Sequence, residues 1–317
     1  MTGKEKMLKA FRHEPIIGHV PHFELVFYLT MEVLGKVHPN HRRFDQWHQM
    51  SVQEQECQLR DLADCHVEIA KKYNHSAILV HTPLQDFDVV KRHLEIIREK
   101  SGDEYFLMLL GDSTHAIPDG EHMTSFSVRM YEEPETLIEE AKAWTEYHLE
   151  IARKLQGTGL LDGFALCSDY CFNVNPFFSN EMFETLIVPP LREVIAGYRE
   201  MGYYSIKHTD GNIMPILEQL LSCKPDALHS LDPQGGVDLA AVKQLVGKRA
   251  ALVGNVNCGL LQTGTDDEVR ADVRRALRDG MPGGGYIFST SNCVYTGLPL
   301  ERYELMHSIW REHGRYE

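Results

Sequence analysis

Hydrophobic residues follow two alternating patterns along this chain. Short runs of β-branched, aliphatic and aromatic residues alternate with longer segments whose apolar residues recur at helical spacing. The short runs predict strands at 20–29, 76–81, 105–111, 161–168, 203–208, 226–231, 250–256 and 286–291. The longer segments predict helices at 49–73, 89–102, 132–159, 179–202, 213–222, 238–247, 265–280 and 299–314. About eight strands, each followed by a helix, are typical of a parallel sheet with crossover helices.

Eight such units that close on themselves form a (β/α)8 TIM barrel. We therefore predict an α/β fold consisting of one barrel domain over residues 1–317, with an amphipathic helix at 1–15 as an amino-terminal extension. A doubly wound open sheet is the alternative, but no GxGxxG motif follows an early strand. Pro189 and Pro190 predict a kink or a break in the helical segment 179–202.

Polar and sulfur-containing side chains occur at or just after the ends of the predicted strands. Active sites of TIM barrels lie at the carboxyl ends of their strands, so these side chains are expected to converge at one mouth. They are Glu24, Asp112, His115, Asp169, Tyr170, His208, Asp210, His229, Asp232, Asn255, Cys258, Asn292 and Cys293.

The pair His208 and Asp210 has ligand types that zinc prefers. A distant Cys293 or Cys258 adds a thiolate, and Glu24 is a candidate fourth ligand. The alternative is that His208 only ends a strand, that Asp210 caps the next helix and that Cys293 is buried. The spacing alone leaves both interpretations open.

Two further carboxylates and a group of aromatic residues also have two interpretations. Asp112 and Asp169 are acid/base groups, or groups that orient a ligating histidine, or caps of their loops. The aromatic residues either line the mouth of an apolar pocket or pack a loop against a helix. This aromatic group is Tyr170, Phe172, Phe177 and Phe178.

Composition narrows the classes of function. The net charge of −14 argues against nucleic-acid binding, because phosphate recognition needs a basic face. The sequence contains no run of about 18 apolar residues, so no membrane-spanning segment is expected. Seven cysteines without CxxC spacing predict a reducing, cytoplasmic environment and no disulfide framework.

Three segments resemble the uroporphyrinogen decarboxylase superfamily. They are SDYCFNVNPFFSNEMFETLIVPPL, KHTDGNIMPILEQLLSCKPDALHSLDPQGGVDLAAVKQLVGKRAALVGNVNC and PGGGYIFSTSNCVYTGLPLERY, which occur in order within residues 160–316. The resemblance implies a TIM barrel. True uroporphyrinogen decarboxylases carry an arginine-rich motif near the amino terminus that binds substrate carboxylates. The matching region here, VPHFELVFYLTMEVLGK, contains no arginine.

The resemblance is closer to the corrinoid-dependent methyltransferase branch, which holds zinc through a His-x-Cys pair and a later cysteine. His208 matches the histidine, Asp210 stands where the first cysteine would be, and Cys293 matches the last cysteine. The resemblance implies Zn2+, a corrinoid (cobalamin-binding) protein as partner and a small methylated substrate, with an aryl methyl ether as one option. It also suggests a homodimer, by analogy alone.

The resulting hypothesis is a zinc-dependent methyltransferase. Its metal ligands are His208, Asp210, Cys293 and Glu24. Its catalytic residues are Asp169, Tyr170, Asp112 and Asn255, and its substrate-binding residues are Phe177, Phe178, His115 and Asn292. Two alternatives stay open: a metal-independent decarboxylase and a non-catalytic partner in a methyltransferase complex.

Overall fold

The computed structural model describes residues 1–316. The strands are β1 (Gly18–His19), β2 (Ala77–Leu79), β3 (Phe106–Leu110), β4 (Gly163–Leu166), β5 (Tyr204–Thr209), β6 (Ala227–Ser230), β7 (Ala251–Val253), β8 (Tyr286–Ile287) and β9 (Arg315–Tyr316). The helices are α1 (Gly3–Phe11), α2 (Thr30–Leu34), α3 (Val52–Lys72), α4 (Phe87–Ser101), α5 (Met123–Glu132), α6 (Pro134–Leu155), α7 (Asn180–Met182), α8 (Val188–Glu200), α9 (Leu217–Ser222), α10 (Leu239–Val246), α11 (Cys258–Thr263), α12 (Asp266–Gly280) and α13 (Leu300–His313).

The main sheet has seven parallel strands, β2 to β8, and each strand pairs with the next one along the chain. Strands β1 and β9 form a separate antiparallel pair. Helices connect the strands of the main sheet, as parallel pairing requires. The sequence prediction of an α/β fold with parallel strands is therefore confirmed.

The predicted first strand at 20–29 is not a regular strand. Residues 21–23 still bridge the two edges of the curled sheet: the Phe288 N–H donates to Pro21 O at 2.8 Å, and the Ser76 N–H donates to His22 O at 2.6 Å. A second isolated bridge joins Phe27 to Val294. The sheet thus contains seven regular strands where eight were predicted. The irregular segment at 20–29 lies between the two edges of the sheet, and we call it the seam segment.

The interior of the curled sheet is filled mainly by apolar side chains, as in TIM barrels. Large residues such as Phe106, Met108 and Ile206 interleave there with alanines of neighbouring strands. Helix α1 contributes Met7 and Phe11 to the same cluster, so it covers the end of the sheet where the strands begin. A capping box between Thr2 and Glu5 stabilises the start of α1. The opposite, carboxyl end of the sheet carries the polar residues.

Two helical segments differ from the prediction. Helix α5 lies in a stretch for which the sequence pattern predicted no element. The predicted helix at 179–202 is divided into α7, a π-helical turn at Phe183–Ile187 and α8. Pro189 and Pro190 lie in the first turn of α8, where a missing backbone N–H breaks no intrahelical bond. Within residues 1–316, no helix is both long and apolar enough to cross a membrane.

Candidate active site

Three acidic or imidazole side chains converge at the carboxyl end of the sheet. His208 belongs to β5, Asp210 follows it by two residues, and Asp169 follows the neighbouring strand β4. One ligand atom from each lies within 4.8 Å of the others. Nε2 of His208 is 3.6 Å from Oδ1 of Asp169 and 3.7 Å from Oδ1 of Asp210. We call these three residues the Asp-His-Asp cluster.

The charge states within the cluster follow from its burial. Burial and the Lys207 ammonium lower the pKa of His208 to about 3, so its imidazole is neutral at physiological pH. Burial and the carboxylate of Asp169 raise the pKa of Asp210 to about 7. Two carboxylates therefore lie beside a neutral imidazole, and a cation or a proton is needed to relieve their repulsion.

The hydrogen bonds of Asp210 leave one oxygen unused. Its Oδ2 accepts from Nδ2 of Asn292, and its backbone N–H donates to Oδ1 of Asp169 at 2.9 Å. Its buried Oδ1 has no hydrogen-bond partner among residues 1–316. A buried, unpartnered carboxylate oxygen near an imidazole nitrogen and a second carboxylate fits a bound divalent cation, and zinc accepts this donor set.

Glu24 and Cys293, the other two predicted ligands, do not belong to the Asp-His-Asp cluster. Oε2 of Glu24 accepts from Oγ1 of Thr290 at 2.5 Å, from the Thr290 N–H at 3.1 Å and from Oγ of Ser289 at 3.2 Å. Cys293 lies in the loop after β8, and its carbonyl oxygen is 3.8 Å from Sγ of Cys258. Glu24 therefore ties the seam segment to the loop after β8.

Burial raises the pKa of Glu24 from 4.5 to about 7, which makes its contribution to stability depend on pH. Because the folded state binds this proton more tightly, the contribution is greatest below about pH 4.5 and is lost as the pH rises through about 7. As the pH rises from about 5 to about 8, the free energy of unfolding of the metal-free wild type should fall. In the metal-free Glu24→Gln variant, this fall should be smaller by about 1–3 kcal/mol. Urea unfolding across that range checks this expectation, and parallel stability curves would contradict it.

Asp112 lies beneath the cluster in a saturated network. Its Oδ2 accepts from Nζ of Lys207 at 2.7 Å and from the Ser168 N–H at 2.9 Å. Its Oδ1 accepts from both the N–H and Oγ1 of Thr114, and Oγ1 of Thr114 also contacts the hydroxyl of Tyr170 at 2.6 Å. Asp112 and Tyr170, both predicted to be catalytic, are placed to hold the loops after β3 and β4 together.

Asn255, also predicted to be catalytic, is fully buried. Its Nδ2 donates to Leu231 O at 2.7 Å, and its Oδ1 accepts from Nη1 of Arg275 at 3.0 Å. These contacts join the loops after β6 and β7 to α12. The catalytic role of Asn255 stays a prediction.

The predicted substrate-binding residues lie in different environments. Phe178 is buried, with its ring centroid 5.0 Å from that of the half-buried Phe177. Nε2 of His115 donates to Leu137 O at 2.8 Å, and its ring packs against Trp144. Asn292 contacts the cluster directly through Asp210. Asn292 is therefore the predicted substrate residue that the structure brings to the site.

Two buried residues with contacts to this region were given no role in the sequence prediction, although His229 was among the strand-end residues expected to converge. His229 on β6 lies opposite His208 in the parallel register, and their Nδ1 atoms are 2.7 Å apart. Lys207 is fully buried, and its Nζ also donates to Ser168 O at 2.9 Å. A lysine inside an otherwise apolar strand was the signal in the sequence for the second of these residues.

Comparison with known proteins identifies the family. Residues 121–313 match the sequence profile described as Uroporphyrinogen decarboxylase (URO-D). The chain belongs to the uroporphyrinogen decarboxylase family. This assignment confirms the resemblance predicted from the sequence, and the match includes all three residues of the Asp-His-Asp cluster. No curated protein matches this member of the family in sequence.

Solved structures share the fold of this uroporphyrinogen decarboxylase family member. A methyltransferase from Methanosarcina mazei superposes with a TM-score of 0.74 at 18% identity, over 98% of this chain and 99% of that chain. A D-psicose 3-epimerase from Clostridium cellulolyticum H10, crystallised with D-tagatose, gives a TM-score of 0.42 at 8% identity, over 73% of this chain and 83% of that chain. The first similarity supports a common TIM-barrel-like architecture.

Proposed function

We propose that this protein is a metal-dependent methyltransferase that moves a methyl group between a small methylated substrate and a corrinoid carried by a partner protein. The observation that carries the proposal is the unpartnered, buried Oδ1 of Asp210 beside the neutral imidazole of His208. Membership of the uroporphyrinogen decarboxylase family and the fold shared with a methyltransferase support it.

The proposed metal is Zn2+, held by His208, Asp210 and Asp169. Cys293 lies outside the Asp-His-Asp cluster and is retained as a candidate fourth ligand, because it directly follows Asn292, whose side chain contacts Asp210. Burial followed by the charge of Asp210 raises the pKa of this thiol to about 11, so metal binding must displace its proton. When bound, the metal supplies a Lewis acid for the leaving oxygen, and the corrinoid supplies the methyl carrier.

The residues of the chain then position the reactants and handle the proton. Nδ2 of Asn292 donates a hydrogen bond to Oδ2 of Asp210, and the Asp210 N–H donates one to Oδ1 of Asp169. The side chain of Asp169 is 45% exposed, so its Oδ2 is the oxygen we assign to exchange a proton with the leaving group. A positioned acid of this kind typically contributes about 100- to 10,000-fold to a rate.

We place an aromatic substrate against the loop after β4. The backbone of Phe172 passes so close to Gly211 that a Cβ at Gly211 would lie 2.6 Å from Phe172 O, and Gly211 directly follows Asp210. Phe172 is 47% exposed, and the centroid of its ring is 6.2 Å from that of Phe177. These rings provide an apolar surface on a loop whose backbone contacts Gly211, and their stacked or edge contacts would favour an aryl methyl ether.

The decarboxylase alternative needs arginines that bind substrate carboxylates. Among the early arginines, Arg12 donates to Tyr204 Oη at the start of β5, far from the carboxyl end. Arg42 pairs with Asp61, and Arg129 pairs with Glu140. These three side chains are therefore engaged in other contacts, which weighs against the decarboxylase. Arg43, the fourth early candidate, is exposed, so it is the arginine on which the decarboxylase alternative still depends.

The proposal is tested by metal analysis together with a transfer assay. Purified protein should contain about one zinc per chain and should change the absorbance of a free, reduced corrinoid in the presence of methoxylated benzoates, with release of the phenol. The Asp210→Asn variant is the control for the site. Bound zinc with no turnover, but tight association with a corrinoid protein, would favour the non-catalytic alternative. Metal-free release of carbon dioxide from a polycarboxylate would favour the decarboxylase.

A further inference from the structure

A second histidine lies directly behind the imidazole of His208. His229 and His208 are both buried, and their Nδ1 atoms are 2.7 Å apart. Burial lowers the pKa of each, so both rings are neutral. Two neutral imidazoles form this hydrogen bond only when one of the facing nitrogens carries a proton and the other does not.

The second ring nitrogen of His229, Nε2, determines the direction of the hydrogen bond between the two histidines. Its Nε2 is 3.2 Å from the carbonyl oxygen of Thr290, and a carbonyl oxygen can only accept. Nε2 of His229 therefore carries the proton, and Nδ1 of His229 is the acceptor. The shared proton belongs to Nδ1 of His208. Nε2 of His208, the nitrogen beside the two carboxylates, keeps its lone pair.

The carbonyl of Thr290 is itself held in place. The N–H and hydroxyl of Thr290 both donate to Oε2 of Glu24, at 3.1 and 2.5 Å, and Oγ of Ser289 donates to the same oxygen. The four residues Glu24, Thr290, His229 and His208 thus form a continuous hydrogen-bonded series from the seam segment to the cluster. A fixed carbonyl orients His229, and His229 in turn orients His208.

We propose that His229, anchored by Thr290 and Glu24, is a positioning residue that holds His208 in the Nδ1–H tautomer and thereby sets the metal affinity of the site. The part of this inference that concerns affinity rests on the proposed metal site. The opposite tautomer of His208 would present an N–H to the metal and could not ligate it. Glu24 acts in this series through Thr290, which is a different role from that of a metal ligand.

A matched pair of substitutions separates hydrogen bonding from packing. Asparagine at position 229 places its Oδ1 where Nδ1 of His229 lies, one bond beyond Cγ, so His229→Asn keeps an acceptor for His208. Leucine places a methyl group there, so His229→Leu keeps much of the volume and removes the acceptor. Zinc affinity, measured by competition with a chromogenic chelator, should fall about 10- to 100-fold in His229→Leu and be largely restored in His229→Asn.

The tautomer is measured separately, in metal-free protein. Long-range proton–nitrogen correlation spectra of isotope-labelled histidine at neutral pH should show His208 protonated at Nδ1 in the wild type and in His229→Asn. Protonation of wild-type His208 at Nε2, or wild-type zinc affinity in His229→Leu, would overturn the proposal. If the leucine variant does not fold, the wild-type tautomer still decides. Zinc-free protein with the Nδ1–H tautomer would refute the proposed metal function while upholding the tautomer assignment.

Discussion

Replacing His208 with alanine should remove the metal from the protein and abolish methyl transfer while leaving the fold intact. The imidazole supplies the neutral nitrogen of the Asp-His-Asp cluster, and two carboxylates alone would form a much weaker zinc site. Because loss of an outer hydrogen-bond partner already costs about 10- to 100-fold in metal affinity, loss of a ligand should cost more than about 100-fold. Elemental analysis measures the zinc content of the variant, and chelator competition measures its zinc affinity.

His48→Ala is the matched control for this variant, because His48 is an exposed histidine in a short 3-10 helix, Trp47–Gln49. It should keep its zinc and its transfer rate. Circular dichroism of both variants should resemble that of the wild type, since the alanine removes one buried ring and no backbone contact of β5. A His208→Ala protein that retains one zinc per chain would show that the metal, if functional, is bound elsewhere.

Replacing Lys207 with methionine should destabilise the protein by about 3–5 kcal/mol, because it leaves the carboxylate of Asp112 without its cation. Lys207 is fully buried, and its ammonium donates three hydrogen bonds, to Oδ2 of Asp112, to Leu166 O and to Ser168 O. Its Nζ also lies 4.2 Å from the centroid of the Tyr170 ring. Urea unfolding of the two proteins measures the difference.

The double variant Lys207→Met/Asp112→Asn distinguishes an unpaired charge from a general loss of packing. It should recover part of the stability, because no buried charge remains without a partner. Lys142→Met, on the exposed face of α6, should change stability by less than about 0.5 kcal/mol. A double variant as unstable as Lys207→Met alone would mean that packing of the lysine stem causes the effect.

The alternation of apolar runs predicted the fold well because each strand of a parallel sheet is a short, nearly continuous apolar segment. It was least accurate at residues 20–29, where the apolar pattern is clear but the chain makes only isolated bridges. Hydrogen bonds from two edges of a curled sheet determine that segment, and a local pattern contains no information about those edges. Helix α5 was missed for a related reason: its buried contact is a single methionine, Met130.

The site was predictable to the extent that strand ends meet in space. His208 and Asp210 are two residues apart, so an extended chain directs both side chains to the same side, and the barrel rule placed them near Asp169. The partnership of His208 with His229 depends on the register between β5 and β6, which the sequence does not reveal. The separation of Glu24 and Cys293 from the cluster depends on loop conformations that are equally non-local.

Because residues 21–23 hydrogen bond with Phe288, the sheet cannot close until almost the whole chain has been synthesised. The bond between Thr290 and Glu24 spans 266 positions along the chain, and contacts of such separation form late because the intervening chain must be ordered first. A nascent chain can pair β2 to β7 in order as they emerge. His208 and Asp210 can then be in place while Thr290 is still in the ribosome, so the anchor that orients His229 forms after the strands that carry the cluster.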